Sequence, residues 1–173
     1  HLRSRIKADH MKYLSILAML ALFTFASCMD DDDSGQIDNV SFTIDFRSAY
    51  NGADLAIQST TYDYPTGAKL KPTLFQYYIS DLSLVNADGS IIVLSDIELV
   101  RYNSAIEDAV VSFTYDAPTG DYVEIRFGLG VKPDLNATDP SAFSANDPLN
   151  ETEFWNANAR YVFAKWEGNA DLN

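Results

Sequence analysis

Val40, Phe42, Ile44 and Phe46 alternate with Ser41, Thr43, Asp45 and Arg47, the period-two pattern of a strand with one face in a core and the other in water. A polar, glycine-containing stretch follows to Gly67, in which Leu55 and Ile57 suggest a short extra strand and Tyr62-Asp63-Tyr64-Pro65 a turn. Leu70 to Ser80 reads as extended, and because Pro72 has no N–H for a ladder, this segment is expected to begin at a sheet edge or just outside it. Tyr77 to Val85 and Ser90 to Leu94 flank Asn86-Ala87-Asp88-Gly89, the composition of a hairpin whose Asp-Gly tolerates positive φ. Ile97 to Tyr102 and Val110 to Tyr115 are further strands. A turn at Asp116–Asp121 leads into Tyr122 to Phe127, where Val123, Ile125 and Phe127 alternate inward against Glu124 and Arg126, so a second hairpin is predicted.

Val131 to Glu153 is rich in Asp, Asn and Pro without an apolar period and reads as a long loop of the kind that carries function, with one short helical turn at Ser141 to Ser144. Tyr161 to Trp166 is strand-like again. Strands about ten residues apart without a helical period predict an all-β chain, an antiparallel β-sandwich of Ig-like or jelly-roll-like type. Val40, Phe42, Ile44, Phe46, Val111, Phe113, Val123, Ile125 and Phe127 are its predicted core. An aromatic strand followed at once by Asn173 would leave an unpaired apolar edge, so the sandwich is expected to be incomplete at the C-terminus.

Ahead of this domain stands a different pattern. Lys12 is followed by the almost wholly apolar Leu14 to Phe25, then by small residues and Cys28. The run is too short to span a bilayer and ends at small residues, as a cleaved signal peptide does. Phe25-Ala26-Ser27-Cys28 resembles a bacterial lipobox, which makes Cys28 the lipidation site; the plain alternative is a secretory signal with Cys28 as a small buried hydrophobe. Asp30 to Asp33 then form a solvated tether. It is either a simple spacer or, by resemblance, the surface-export signal of Bacteroidota lipoproteins. Residues 1–27 are thus read as flank and signal peptide, 28–39 as a lipidated acidic tether and 40–173 as the sandwich domain, with the outer membrane as the expected location.

Of 173 residues 47% are hydrophobic, enough for one packed core, while 12 Lys+Arg against 25 Asp+Glu give a formal charge of -13. Such a surface repels phosphate backbones and the few cations form no stripe, so nucleic acid is not an expected partner. Both histidines, His1 and His10, precede the apolar run. Residues 28–173 therefore offer no Ser-His-Asp triad and no Cys-His pair, and neither GxGxxG nor GxxxxGK[ST] is present. No enzymatic activity is expected. Asp134, Asn136 and Asp139 lie close together in the long loop, and hard oxygens on a flexible backbone are what Ca²⁺ requires; turn-building by Asx hydrogen bonds explains the same residues.

Three pieces read in order resemble one family: Tyr77-Tyr78-Ile79-Ser80-Asp81-Leu82-Ser83-Leu84 with Asp88-Gly89, then Phe127-Gly128-Leu129-Gly130-Val131, then Phe154-Trp155 leading to Arg160-Tyr161-Val162-Phe163-Ala164-Lys165-Trp166-Glu167-Gly168. They are similar to the MbnP-like family, secreted β-sandwich proteins named after a methanobactin-associated, copper-binding periplasmic protein. The resemblance spans roughly residues 40–168, corresponding to the N-terminal two thirds of such a domain. It implies copper handling outside the cytoplasm, an oxidised tryptophan near the metal, a dihaem peroxidase-like enzyme as partner, and no catalysis by the protein itself. Trp155 matches the family's tryptophan position, although core packing is the stronger reading, since buried tryptophans chiefly supply core area; Trp166 is assigned to the core. Where the family commonly has methionine before the aromatic-Trp pair, this chain has Glu153, and its one methionine beyond Cys28 is Met29. Copper favours imidazole and thioether ligands. The resulting expectation is a lipid-anchored, non-catalytic binding protein, with copper or calcium as its metal. The alternative is a surface adhesion or glycan-binding module of the same fold class.

Overall fold

A computed structural model of the chain describes residues 38–171, apart from 65 and 107. The expected signal peptide, Cys28 and the acidic run lie outside the described residues.

Two antiparallel sheets face each other. The smaller pairs β1 (Asn39–Arg47) with β7 (Val110–Pro118), in unbroken register from Asn39 opposite Pro118 to Arg47 opposite Val110. The larger is built around β5 (Lys69–Asn86), an 18-residue strand. One edge of β5 carries the two-residue β4 (Tyr62–Asp63) and then β6 (Ile91–Tyr102). The other edge carries β8 (Tyr122–Leu129) and, further along the same edge, β11 (Ala164–Asp171). A small hairpin, β2 (Ala49–Tyr50) with β3 (Ala53–Asp54), follows β1.

Strands that the sequence divides are continuous here. Leu70–Ser80 and Tyr77–Val85 are one strand, and Ser90–Leu94 and Ile97–Tyr102 are another. Alternation along β5 slips at Asp81, whose φ is +52°. Phe75, Tyr77 and Ile79 face the second sheet before it and Leu82 after it, because the bulge shifts the side-chain phase by one residue. Pro72 lies where β5 is paired by β11 on one side only: its other side, between β4 and β6, carries no strand among the described residues, and there its carbonyl accepts from Gln58 N at 2.7 Å. It is fully buried within β5, opposite Gly168, where the register slips past the extra residue Thr73 and where a Cβ on Gly168 would come within 2.8 Å of the Lys71 carbonyl. Tyr62–Asp63 is a strand rather than a turn, and the reversal begins at Tyr64, whose carbonyl accepts from Gly67 N at 2.8 Å. Leu55 and Ile57 enter the core from irregular backbone instead of a strand.

β7 and β8 do not form a hairpin. Each pairs in a different sheet, so the Thr119–Asp121 turn carries the chain from one layer to the other. The interior between the layers is Ile79, Leu82, Val100 and Tyr102 with Leu55 and Ile57, packed by Ile44, Phe46, Val111 and Phe113 from the smaller sheet. The predicted core is therefore only half right. Phe42, Ile44, Phe46, Val111 and Phe113 are half-buried, whereas Val40 is 45%, Val123 68%, Ile125 51% and Phe127 43% exposed. Alternation fixes which side chains share a face but not whether anything covers that face, and among the described residues the smaller sheet has only two strands, too few to reach across β8. Trp166, expected in the core, packs against Phe75 at 5.5 Å between ring centroids yet stays 43% exposed at the same open side.

Several tyrosines, Tyr102 and Tyr115 between the layers and Tyr78 on the outer face of β5, hold the fold against alkali. Burial raises the phenols of Tyr78, Tyr102 and Tyr115 well above their ordinary value of 10.0, with the nearby Glu153 carboxylate adding to Tyr78 and Glu98, which accepts from the Tyr115 hydroxyl at 3.0 Å, adding to Tyr115. The folded state thus retains protons that the unfolded chain releases near pH 10, and its stability is intact below that value and falls as the pH climbs further. A spectrophotometric titration is expected to show exposed tyrosines ionising first and these three only together with unfolding; their ionisation in a fully folded protein would contradict the packing.

Candidate functional site

At Tyr78 the edge of β5 is shared. Its carbonyl accepts from Gly130 N at 2.8 Å and its N–H donates to the Phe163 carbonyl at 3.0 Å, so β8 ends and β11 begins on the two sides of one residue. Between these points the chain leaves the sheet, folds over its outer face and returns to the same line. Gly130 makes the exit possible: its φ is +101°, and a Cβ there would stand 2.7 Å from the Phe163 ring. Gly130→Ala is expected to destabilise by about 1–3 kcal/mol, readable as a lowered denaturant midpoint.

The excursion is not an open loop. It contains a short helix α1 (Pro133–Ala137), 3-10 turns at Pro140–Ala142 and Glu151–Glu153, and a hairpin of β9 (Phe154–Asn156) with β10 (Arg160–Tyr161). Val131, Leu149 and Tyr161 are buried with Leu135, Phe143 and Phe154 around them, against Tyr78, Ile97 and Leu99 of the sheet. The apolar residues are spaced irregularly because the backbone is irregular, which is why no period announced this second core. Hydroxyls complete it: Tyr78 donates to the Pro148 carbonyl at 3.0 Å and Tyr161 to the Leu149 carbonyl.

The hairpin turns on Asn156, whose side-chain oxygen accepts from the N–H groups of Asn158 at 2.9 Å and Ala159 at 2.8 Å. Alternation along β9 puts Phe154 into the core beneath Tyr161, 5.5 Å between centroids, and turns Trp155 outward. Trp155 is 63% exposed, so the core-packing reading of this residue is overturned. Its neighbours are clamped from two sides. Glu153 points inward and accepts from Arg101, whose Nε also donates to Gln76 at 2.8 Å on the outer face of β5. Arg160 lies 5.4 Å over the Phe154 ring and donates to the carbonyls of Asn136 and Thr138, tying the end of α1 to the hairpin. The result is a solvent-facing indole on a braced strand, suited to stacking or to contact with a partner. Trp155→Ala is expected to change stability by no more than about 0.5 kcal/mol, checked by thermal melting.

Of the three residues considered for calcium, Asp139 is engaged elsewhere. Asp139 accepts from Ser141 N and Oγ at 3.0 and 2.8 Å, capping the 3-10 turn, and these bonds hold its carboxyl below the usual range. Asp134 is in the first turn of α1 with an exposed side chain, and Asn136 Oδ1 is buried without a hydrogen-bond partner among the described residues. No group of three or more His, Cys, Asp or Glu side chains stands together among the described residues in a way that would hold a metal. Copper does not fit the donors present either, since residues 38–171 contain no histidine, cysteine or methionine. Sequence reasoning missed the Glu153–Arg101–Gln76 clamp and the Arg160 brace. Glu153 stood out only as a departure from a motif, and residues so far apart in the chain carry no local sign that they meet.

Lys132, at the start of the excursion, reaches back to the bulge, donating to Asp81 at 2.9 Å and Asp96 at 3.2 Å. These two bonds, Asp81 first, raise its ammonium above the ordinary lysine value. Its contribution to stability is complete at neutral pH and disappears only in strong alkali.

A family model described as MbnP matches residues 39–173. Among solved structures, MbnP from Methylosinus trichosporium shares the fold with a TM-score of 0.57 at 17% identity, over 76% of this chain and 55% of that one. This chain thus spans about half the length of that structure. No curated protein matches the chain significantly.

Proposed function

This chain belongs to the MbnP family, and on that premise we propose that it is a lipid-anchored, extracytoplasmic binding protein of copper handling, non-catalytic, with Trp155 as its contact to a partner. The observation that carries the reading is the braced, outward indole at the position the family motif marks. Rigid aromatic side chains make effective contacts because they lose little entropy on binding. The partner implied by the resemblance, a dihaem peroxidase-like enzyme, would meet the protein on the β9–β10 face. The copper ligands lie outside residues 38–171, which contain no histidine, cysteine or methionine.

Titration with Cu(I) against a chromophoric competitor tests this: the complete protein is expected to retain the metal and residues 28–173 alone to release it. Tight Cu(I) binding by residues 28–173 would refute the ligand assignment. The anchor is tested separately by Cys28→Ser, which is expected to move the protein from the membrane to the soluble fraction or to block its maturation.

The same exposure of Trp155 favours one other reading, a glycan-binding surface module. Sugar binding lost in Trp155→Ala, together with no copper binding by the complete protein, would establish that reading instead.

A further inference from the structure

The β2–β3 hairpin and the short strand β4 border a cleft that includes nothing of the β9–β10 face. It measures about 490 Å³ and is lined by Tyr50, Asn51, Asp63 and Tyr64, a size within the range of about 300–1,000 Å³ found for small-molecule sites. Its walls are fixed from below. Tyr50 and Tyr62 pack against the main core with their rings 4.8 Å apart. The Tyr62 hydroxyl accepts from Ala56 N at 2.7 Å, and the Tyr50 hydroxyl donates to the Asp63 carbonyl at 3.3 Å, joining the hairpin to β4. Tyr64 is held through its backbone, donating to the Ala68 carbonyl at 2.9 Å and accepting from Gly67 N. Its side chain is 51% exposed and belongs to neither core. Asn51, also exposed, stands at the hairpin turn with φ +51°, followed by Gly52 at +81°. An open aromatic ring and two polar side chains thus share one braced cleft.

We propose that this cleft binds a neutral pyranose unit of a glycan, with the C–H face of the sugar on the Tyr64 ring and its hydroxyls on Asn51 and Asp63. Charge narrows the choice first. The charged side chain in the lining is Asp63, and a chain of formal charge -13 repels anions. A cation gains little there, because Lys69 already pairs with that carboxylate. A hydrocarbon ligand would cover Asn51 and Asp63 without offering them partners. A pyranose answers both halves of the cleft. Its C–H face covers an aromatic ring, and its hydroxyls donate and accept, as the Asn51 amide does. Lys69 engages Asp63 Oδ1, which leaves Oδ2 to accept from a sugar hydroxyl. None of these residues belongs to the β9–β10 hairpin, so the inference is independent of the copper reading and of sugar binding at Trp155.

Saturation-transfer NMR on the full chain tests this, with the methyl glycosides of glucose, galactose and mannose, cellotriose and maltotriose as probes. At least one of these sugars is expected to receive saturation, strongest at its ring C–H protons, and to bind Tyr64→Ala about 10-fold or more weakly. That variant removes an exposed side chain and is expected to keep its thermal midpoint, which separates lost binding from lost fold. Tyr64→Phe keeps the ring and is expected to retain most of the affinity. Asn51→Gly suits the positive φ and removes only the amide, at a loss of about 2- to 10-fold. Trp155→Ala is expected to bind as the unaltered protein does. Saturation of none of these sugars, full affinity in Tyr64→Ala, lost affinity in Trp155→Ala, or tighter binding of methyl glucuronide than of methyl glucoside would each overturn the proposal. The third of these outcomes would move the sugar to the β9–β10 face.

Discussion

Tyr161→Ala is expected to lower stability by about 3–5 kcal/mol, with the loss concentrated in one part of the molecule. The side chain is 2% exposed and stands at the centre of the second core, edge-on to Tyr78 and to Phe154. Its hydroxyl also satisfies the buried Leu149 carbonyl, so truncation leaves both a cavity and an unpaired acceptor. The other apolar residues of the excursion pack around this ring, whereas the sandwich interior is untouched. Hydrogen exchange is expected to show residues 131–163 opening while β1, β5, β6 and β7 keep their protection. Uniform loss of protection across all strands would show that the excursion and the sheets unfold as one unit. Tyr161→Phe separates the two causes, since it keeps the packing and removes only the hydrogen bond, at about 0.5–1.5 kcal/mol.

Ile79→Ala is expected to cost about 2–5 kcal/mol and to act on the whole domain. Ile79 is 0% exposed, lies between the two layers, and is flanked in the sheet by both β6 and β8. Phe127→Ala makes the contrast: although the larger side chain, it is 43% exposed and its main neighbour is one ring of β1. In residues 1–173 it is expected to cost about 1 kcal/mol. Chemical denaturation of the two variants checks the ranking; equal losses would mean that β8 is covered in solution.

The strands were legible because each obeys a local rule. Val40 to Phe46, Tyr122 to Phe127 and the Asn86–Gly89 turn fall where alternation and turn chemistry put them. What sits next to what was not legible. Turn composition at Asp116–Asp121 is the same whether the flanking strands pair or part, so the crossing between sheets passed for a hairpin. Asp81 inverts the phase of β5 without any glycine to mark it. Pro72 does face a side of β5 that carries no strand among the described residues, but nothing local shows that irregular chain at Gln58 closes that side. At the site, Trp155 was identified by motif, but its outward direction follows from Phe154 taking the inward place, which depends on Tyr161 and Arg160 arriving from the other half of the hairpin.

The shared backbone of Tyr78 also makes the excursion separable as a unit of inheritance. Its entrance at Gly130 and its exit at Phe163 are hydrogen-bonded to the same residue, so the span between them is a closed cassette inserted into what is otherwise one edge strand. Because closure entropy grows only slowly with loop length, residues can be added to or removed from the cassette at little cost to the sheet that carries it. Homologues can therefore diversify the surface around Trp155 while β5 and its partners stay fixed, and a designed cassette joined at the same two residues has a ready-made scaffold.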